Sequence, residues 1–301
     1  MREKKIYALL LLTFVMWGSL YVMSKFALAD IPPLTVLFLR HLFSAAALFF
    51  LLRRRGFQKI RREHYWCFAV VALLAYYGSI VCQLFCTQRL DSSLAALISA
   101  LNPVTIPLMA ALFLRERLTP RLFAGMAAAV LGVYVILGGG KGTIDPLGVL
   151  IGILGVLVWS AASVVIRKLS AVYDPVEITF VGILCAMCLS LPSSLLELRT
   201  QPCRFTPAAL AASLYMGLVC TALAHTLWNS CLRELPASTC SMFYPVQPLT
   251  AALLGIVFLH EKLTARFVVG AVIISVGIVI AVSHSRRQET APADAAHPPA
   301  G

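Results

Sequence analysis

With 301 residues, 60% of them hydrophobic and only 13% charged, against roughly 25% charged in an average soluble domain, this chain cannot have water as its main solvent. Its formal net charge of +12 does not indicate nucleic acid as a partner. The basic residues fall in short clusters between apolar stretches, Arg53, Arg54, Arg55, Lys59, Arg61 and Arg62 among them, which is how loops facing anionic lipid are built.

In chain order, the first apolar segment runs from Ile6 to Leu28. Arg2, Lys4 and Lys5 precede it and Ala27-Leu28-Ala29 closes it, an arrangement resembling a secretory leader. The run is about twice the length of a leader's apolar core and has a counterpart later in the chain, so it is expected to stay as a spanning helix. Further segments of spanning length run from Pro32 to Leu52, Trp66 to Leu90, Ser92 to Leu114 and Arg121 to Leu137. A link with Gly138, Gly139, Gly140 and Gly142 follows, then Pro146 to Arg167, Pro175 to Leu196, Pro207 to Leu232, Ala237 to Leu259 and Arg266 to Val282. In lipid only helices or closed barrels satisfy their own backbone, and runs so continuously apolar lack the alternation of barrel strands. The expected fold is therefore all-α: ten transmembrane helices, five in residues 1–140 and five in 146–283, with a Pro- and Ala-rich tail, 284–301, read as disordered.

With the N-terminus inside, the cytoplasmic segments carry 17 Lys and Arg and the outer segments 6, leaving Lys25 and Arg40 within helices. The positive-inside rule then puts both termini in the cytoplasm of a multi-pass cell-membrane protein. The two halves also repeat. Pro103, Thr105, Leu114, Glu116, Leu118, Thr119, Arg121, Gly125 and Gly132 recur 145 residues later as Pro248, Thr250, Leu259, Glu261, Leu263, Thr264, Arg266, Gly270 and Gly277. Trp17 with Lys25 corresponds to Trp159 with Arg167 at a slightly different offset. Five helices per half make the second copy enter from the opposite side, an inverted repeat of the kind common in transporters.

The stretch Leu227-Trp228-Asn229-Ser230-Cys231-Leu232-Arg233-Glu234-Leu235-Pro236-Ala237-Ser238, then Pro245-Val246-Gln247-Pro248 and Leu259-His260-Glu261-Lys262-Leu263-Thr264 with Gly270, resembles the EamA domain of the drug/metabolite transporter superfamily. The first half carries the matching Leu101-Asn102-Pro103 and Arg115-Glu116-Arg117-Leu118-Thr119 with Gly125. That resemblance implies a ten-helix carrier of two EamA repeats with a central cavity, often an exporter of amino acids or other small metabolites.

Asn102-Pro103 and Gln247-Pro248 fall near the middle of oppositely directed helices. Proline withholds an N–H and frees the carbonyl four residues earlier, so bends are expected at Pro103 and Pro248, and matched interruptions point to a midplane site. Asn102 and Gln247 either line the substrate path or satisfy the bent backbone. Trp17 and Trp159 lie at corresponding midplane positions, away from the headgroup level that lipid-facing tryptophan prefers, as a stacking or gating pair or as ordinary packing. Trp66 and Trp228 lie nearer the helix ends and read as interface anchors.

Ionisable residues inside helices are rare and face a cavity or a partner. Lys25 is close enough to its helix end to snorkel. Arg40 is deeper and is expected at the cavity or its mouth, or on backbone carbonyls. His225 is read as a neutral histidine bonded to a hydroxyl or as a proton-responsive group. Glu116 and Glu261 are expected in surface salt bridges or headgroup contacts, and the glycine pairs Gly125/Gly132 and Gly270/Gly277 in close helix packing. Cys185 and Cys188 lie within an apolar span with no further zinc-spaced pair, so packing is expected rather than metal chemistry.

No catalytic constellation, nucleotide-binding motif, metal site or cofactor is expected. A membrane-embedded enzyme and a channel are the contrasting readings. Because no carboxylate lies deep in a helix, a neutral, zwitterionic or anionic small molecule is expected, with Arg40 as partner of its carboxylate. The remaining partners expected are the lipid bilayer, a proton if transport is coupled, and at most a second copy of the chain, which would act as a monomer or homodimer.

Overall fold

The computed structural model describes residues 2–114, 145–235, 237–241, 243–262 and 264–282, with isolated residues between 115 and 144. The fifth apolar segment, the Gly138 link, Glu116, Gly125 and the tail fall largely or wholly outside the described residues. All described elements are helical. They are α1 (Arg2–Leu28), α2 (Pro33–Arg55), α3 (Arg62–Arg89), α4 (Ser92–Ser99), α5 (Asn102–Leu114), α6 (Pro146–Ser170), α7 (Pro175–Thr200), α8 (Pro207–Glu234), α9 (Ala237–Ser241), α10 (Val246–Leu259) and α11 (Ala265–Val282). Among the described residues, seven helical stretches, one of them Ser92–Met109 across the α4–α5 junction, are long and apolar enough to cross a membrane, and α10 and α11 contribute shorter apolar helices.

The outer faces are apolar. Leu150, Leu196, Leu249 and Leu253 are each more than 60% exposed, a surface that would aggregate in water and suits hydrocarbon. Inside, helices approach closely where glycine removes a side chain. A Cβ on Gly18 of α1 would come within 2.5 Å of Thr250 and 2.8 Å of the Gln247 carbonyl on α10, and one on Gly132 within 2.8 Å of the Gly270 carbonyl on α11.

Contacts between the halves lie at both ends of the bundle. At one end Thr206 donates to Asp30 at 2.7 Å and Arg89 pairs with Asp145 at 2.6 Å, the guanidinium holding that exposed carboxyl below its usual pKa range. At the other, next to the Arg53–Arg55 cluster, the Tyr173 hydroxyl meets His64 at 2.8 Å and accepts from the Arg61 N–H at 3.0 Å.

Two features were not expected. The fourth and ninth apolar segments are broken rather than bent: α4 stops at Ser99 and α5 starts at Asn102, while α9 stops at Ser241 and α10 starts at Val246. Pro103 and Pro248 therefore sit in the first turn of a new helix, where a missing N–H costs nothing. Secondly, α3 and α8 each widen to π-helical geometry, over Ala72–Gly78 and Met216–Leu223. These are matching places in the two halves, and such widening often marks functional sites.

A candidate solute cavity

One cavity lies against the two helix breaks, at Ser99 and Asn102 and at Tyr244 and Gln247, and against Ser79 and His225 just after the widened segments. Trp17 of α1, Arg40 of α2, Asn102 at the start of α5, Trp159 of α6, His225 of α8 and Gln247 of α10 all line it. The space available to the centres of water molecules is about 90 Å³, against roughly 10–15 Å³ for one water, so the site suits a small metabolite. Its walls are largely apolar, with Leu20, Ile80, Ile98 and Val156 beside the aromatic rings.

Arg40 is only 1% exposed. Its Nε and Nη2 donate to the Thr221 hydroxyl at 3.1 and 3.0 Å and its Nη1 to Gln83 Oε1 at 3.2 Å. These acceptors are neutral side chains, not the backbone carbonyls of the alternative reading. Among the described residues no carboxylate pairs with Arg40, so its charge enters the cavity uncompensated. Gln83 is fixed in turn by donating to Thr87 at 3.0 Å.

The π segment of α8 supplies the next layer. The Cys220 carbonyl accepts from Trp17 Nε1 and from His225 Nδ1, both at 3.1 Å, and the Thr221 carbonyl also lies 3.1 Å from His225 Nδ1. Because both partners are carbonyls, Nδ1 carries the proton in the neutral ring. His225 is thus bonded to backbone and not to a hydroxyl. Its ring stands edge-on to Trp17 and Trp159 at 5.2 and 5.6 Å, and these two indoles meet edge to face at 5.7 Å. Trp159 Nε1 donates to the Tyr244 hydroxyl at 2.5 Å.

Asn102 and Gln247 differ despite their matching positions. Asn102 Nδ2 donates to the Ser99 carbonyl at 2.7 Å, the group that Pro103 leaves without a donor, and its Oδ1 accepts from Ser160 at 3.1 Å. The corresponding Tyr244 carbonyl accepts from the Gln247 backbone N–H at 3.0 Å. The Gln247 side chain is left over, and its buried Oε1 has no hydrogen-bond partner. Asn102 seals the break; Gln247 lines the cavity with its amide oxygen unpaired.

Trp228 is not an interface anchor. It is fully buried, 5.8 Å from Phe14 and 5.9 Å from Tyr244 by ring centroid, and of these three rings Tyr244 lines the cavity. Trp66 is 76% exposed, as an anchor would be. Lys25 is partly buried in the last turn of α1. Among the described residues Glu261 forms no surface ion pair; it caps α4, accepting from the N–H and hydroxyl groups of Ser92 and Ser93. Cys185 and Cys188 are exposed free thiols on α7.

Tyr21, Gln83, Ser99 and Tyr244 line the cavity without having been singled out. Gln83 is a polar residue in the middle of an apolar run, where burial is costly and signals a cavity or a partner. Tyr21 and Ser99 share a hydroxyl contact that no sequence pattern signals.

Apolar helices packed around a small, partly polar cavity define a polytopic membrane protein with a solute-sized site. The chain belongs to the EamA-like transporter family, whose profile matches residues 4–138 and again 146–283. It is 25% identical over 279 residues to YoaV of Bacillus subtilis strain 168, named only as an uncharacterized transporter, covering 91% of this chain and 96% of that one. It is 25% identical over 232 residues to protein PecM of Dickeya dadantii strain 3937, covering 75% and 78%. One solved crystal structure of a protein superposes with a TM-score of 0.70 at 19% identity, over 95% of this chain and 99% of the other, which supports the fold alone.

Proposed function

We propose that this chain is a secondary carrier in the cell membrane that moves small carboxylate-bearing metabolites, amino acids first among them, by alternating access through the central cavity. Export is the direction that the family resemblance implies. Ten helices in two inverted repeats, residues 1–140 and 146–283, fit the offset of 145 residues, the breaks before Asn102 and Gln247 and the paired π segments. Trp17, Arg40, Asn102, Trp159, His225 and Gln247 form the binding site in this reading.

The observation that carries it is Arg40, a buried guanidinium held only by neutral acceptors. An uncompensated charge in low dielectric is costly unless a ligand of opposite sign completes it. In proteoliposomes tested with amino acids, organic acids and cationic dyes, carboxylate-bearing substrates are expected to be taken up and quaternary cations excluded. Arg40→Gln should weaken uptake of L-leucine by about 10- to 100-fold, the worth of one charge-assisted hydrogen bond, while sparing a neutral analogue, N-acetyl-L-leucinamide. Efficient transport of quaternary cations, or unchanged discrimination between leucine and that neutral analogue, would overturn the reading.

A further inference from the structure

We propose that the moving units of this carrier are helix pairs drawn from opposite halves, α2 with α7 and α4 with α10, and that Glu197 and Glu261 are the positioning residues that bind each pair. The proposal rests on the carrier reading above.

α2 and α4 begin without side-chain caps of their own. Pro32 and Asp91 occupy their N-cap positions and neither side chain bonds the first turn. In contrast, α6, α7 and α8 are capped locally by Asp145, Asp174 and Thr206. The missing caps come from the other half of the chain. Glu197 Oε1 accepts from the Leu34 N–H at 3.1 Å, and its Oε2 from the Thr35 N–H at 2.8 Å and hydroxyl at 3.0 Å. Ser194, one turn earlier on α7, donates to the same Thr35 hydroxyl at 3.2 Å. Glu261 Oε1 accepts from the Ser92 N–H at 2.7 Å and hydroxyl at 2.6 Å, while Oε2 takes the Ser93 N–H at 3.2 Å and the Ser93 hydroxyl.

The local backbone is shaped for the second clasp. His260 adopts a left-handed conformation, φ 54°, which turns the chain back after α10, and the Glu261 N–H bonds the Gly255 carbonyl at 3.1 Å. The carboxylate then lies over Gly255, where a Cβ would come within 2.6 Å of its Oε2.

Each clasp combines a carboxylate, the positive end of a helix dipole and otherwise orphaned N–H groups, which are among the stronger bonds available in lipid. α2 carries Arg40, and α4 leads through Ser99 to Asn102. Each clasp thus fixes a helix bearing cavity groups onto a helix of the other half. The most extensive contact of α2 is with α7 and that of α4 is with α10, while α10 itself packs most extensively against α1, which therefore travels with the second pair. Rocking one five-helix half against the other would strip both clasps at once, whereas parting the pairs from each other leaves both intact.

The test places paired cysteines in a background whose native cysteines are replaced, reconstituted in proteoliposomes with L-leucine and succinate as probes. Thr35→Cys with Ser194→Cys keeps Glu197 and ties α2 to α7 when oxidised. Ser93→Cys with Glu261→Cys replaces the second clasp by a disulfide. If pairs move as units, the oxidised Thr35/Ser194 variant retains uptake within about twofold of its reduced form. The Ser93/Glu261 variant should lose about tenfold when reduced and recover on oxidation. Uptake stopped by oxidising the Thr35/Ser194 pair and restored by reduction would overturn the pairing while leaving the carrier reading standing. A background that transports neither probe, oxidised or reduced, would reject both.

Discussion

Arg40 and Gln247 meet the same cavity with opposite kinds of unfinished bonding, one a charge without a counter-charge and the other an acceptor without a donor. Replacing Gln247 with Leu removes a buried unpaired oxygen of a kind that costs about 1–3 kcal/mol. The thermal midpoint in detergent should therefore hold or rise while uptake falls. A variant that transports normally would remove Gln247 from the site. These residues were visible in the sequence because polar and ionisable groups inside apolar runs are expensive. Trp228 and Glu261 were misread for a related reason: distance from a helix end along the chain does not reveal what another helix brings to that end. Trp228 meets the rings of Phe14 and Tyr244, and Glu261 meets the uncapped α4, only once the fold is assembled.

The helix breaks are held by specific bonds as well as by proline. Asn102 Nδ2 covers the Ser99 carbonyl, and the Ala100 and Leu101 N–H groups bond Leu97 and Ile98 at 3.0 and 3.1 Å. Asn102→Ala leaves a buried carbonyl bare and should cost about 1–3 kcal/mol, more than Pro103→Ala, which only adds an N–H in a first turn. A larger loss of thermal stability for the proline variant would show that proline, not the amide, holds the break. At the α1–α10 contact, Gly18→Ala forces a methyl against Thr250 and the Gln247 carbonyl. It should destabilise the protein by about 1–3 kcal/mol and lower uptake by displacing the start of α10. Apolar run lengths located most described helices within a few residues. The π segments were invisible, because no residue type in Ala72–Gly78 or Met216–Leu223 demands an i+5 bond; the side chains of His41, Trp17 and His225 that bond the carbonyls of Tyr76 and Cys220 come from elsewhere in the fold or, for His225, from the turn that follows.

At the scale of the whole molecule, reporter fusions test the topology: a fusion after Val282 should read cytoplasmic and one in the 138–145 link external, and an external signal from the tail would defeat the inverted repeat. The clasps also bear on how the protein is made. The partners of α2 and α4 lie 162 and 169 residues downstream, at Glu197 and Glu261. At about 5–20 residues per second of synthesis, these two helix starts wait roughly 8–30 s with bare N–H groups before their caps reach the membrane. The first half is accordingly expected to behave as a folding intermediate rather than an independent domain. Residues 1–140 expressed alone should be degraded, and co-expression of 141–301 should rescue them, less so when that fragment carries Glu197→Ala and Glu261→Ala. On this expectation the duplication visible in the sequence does not yield two self-sufficient folding units, and assembly awaits the last helices to be translated.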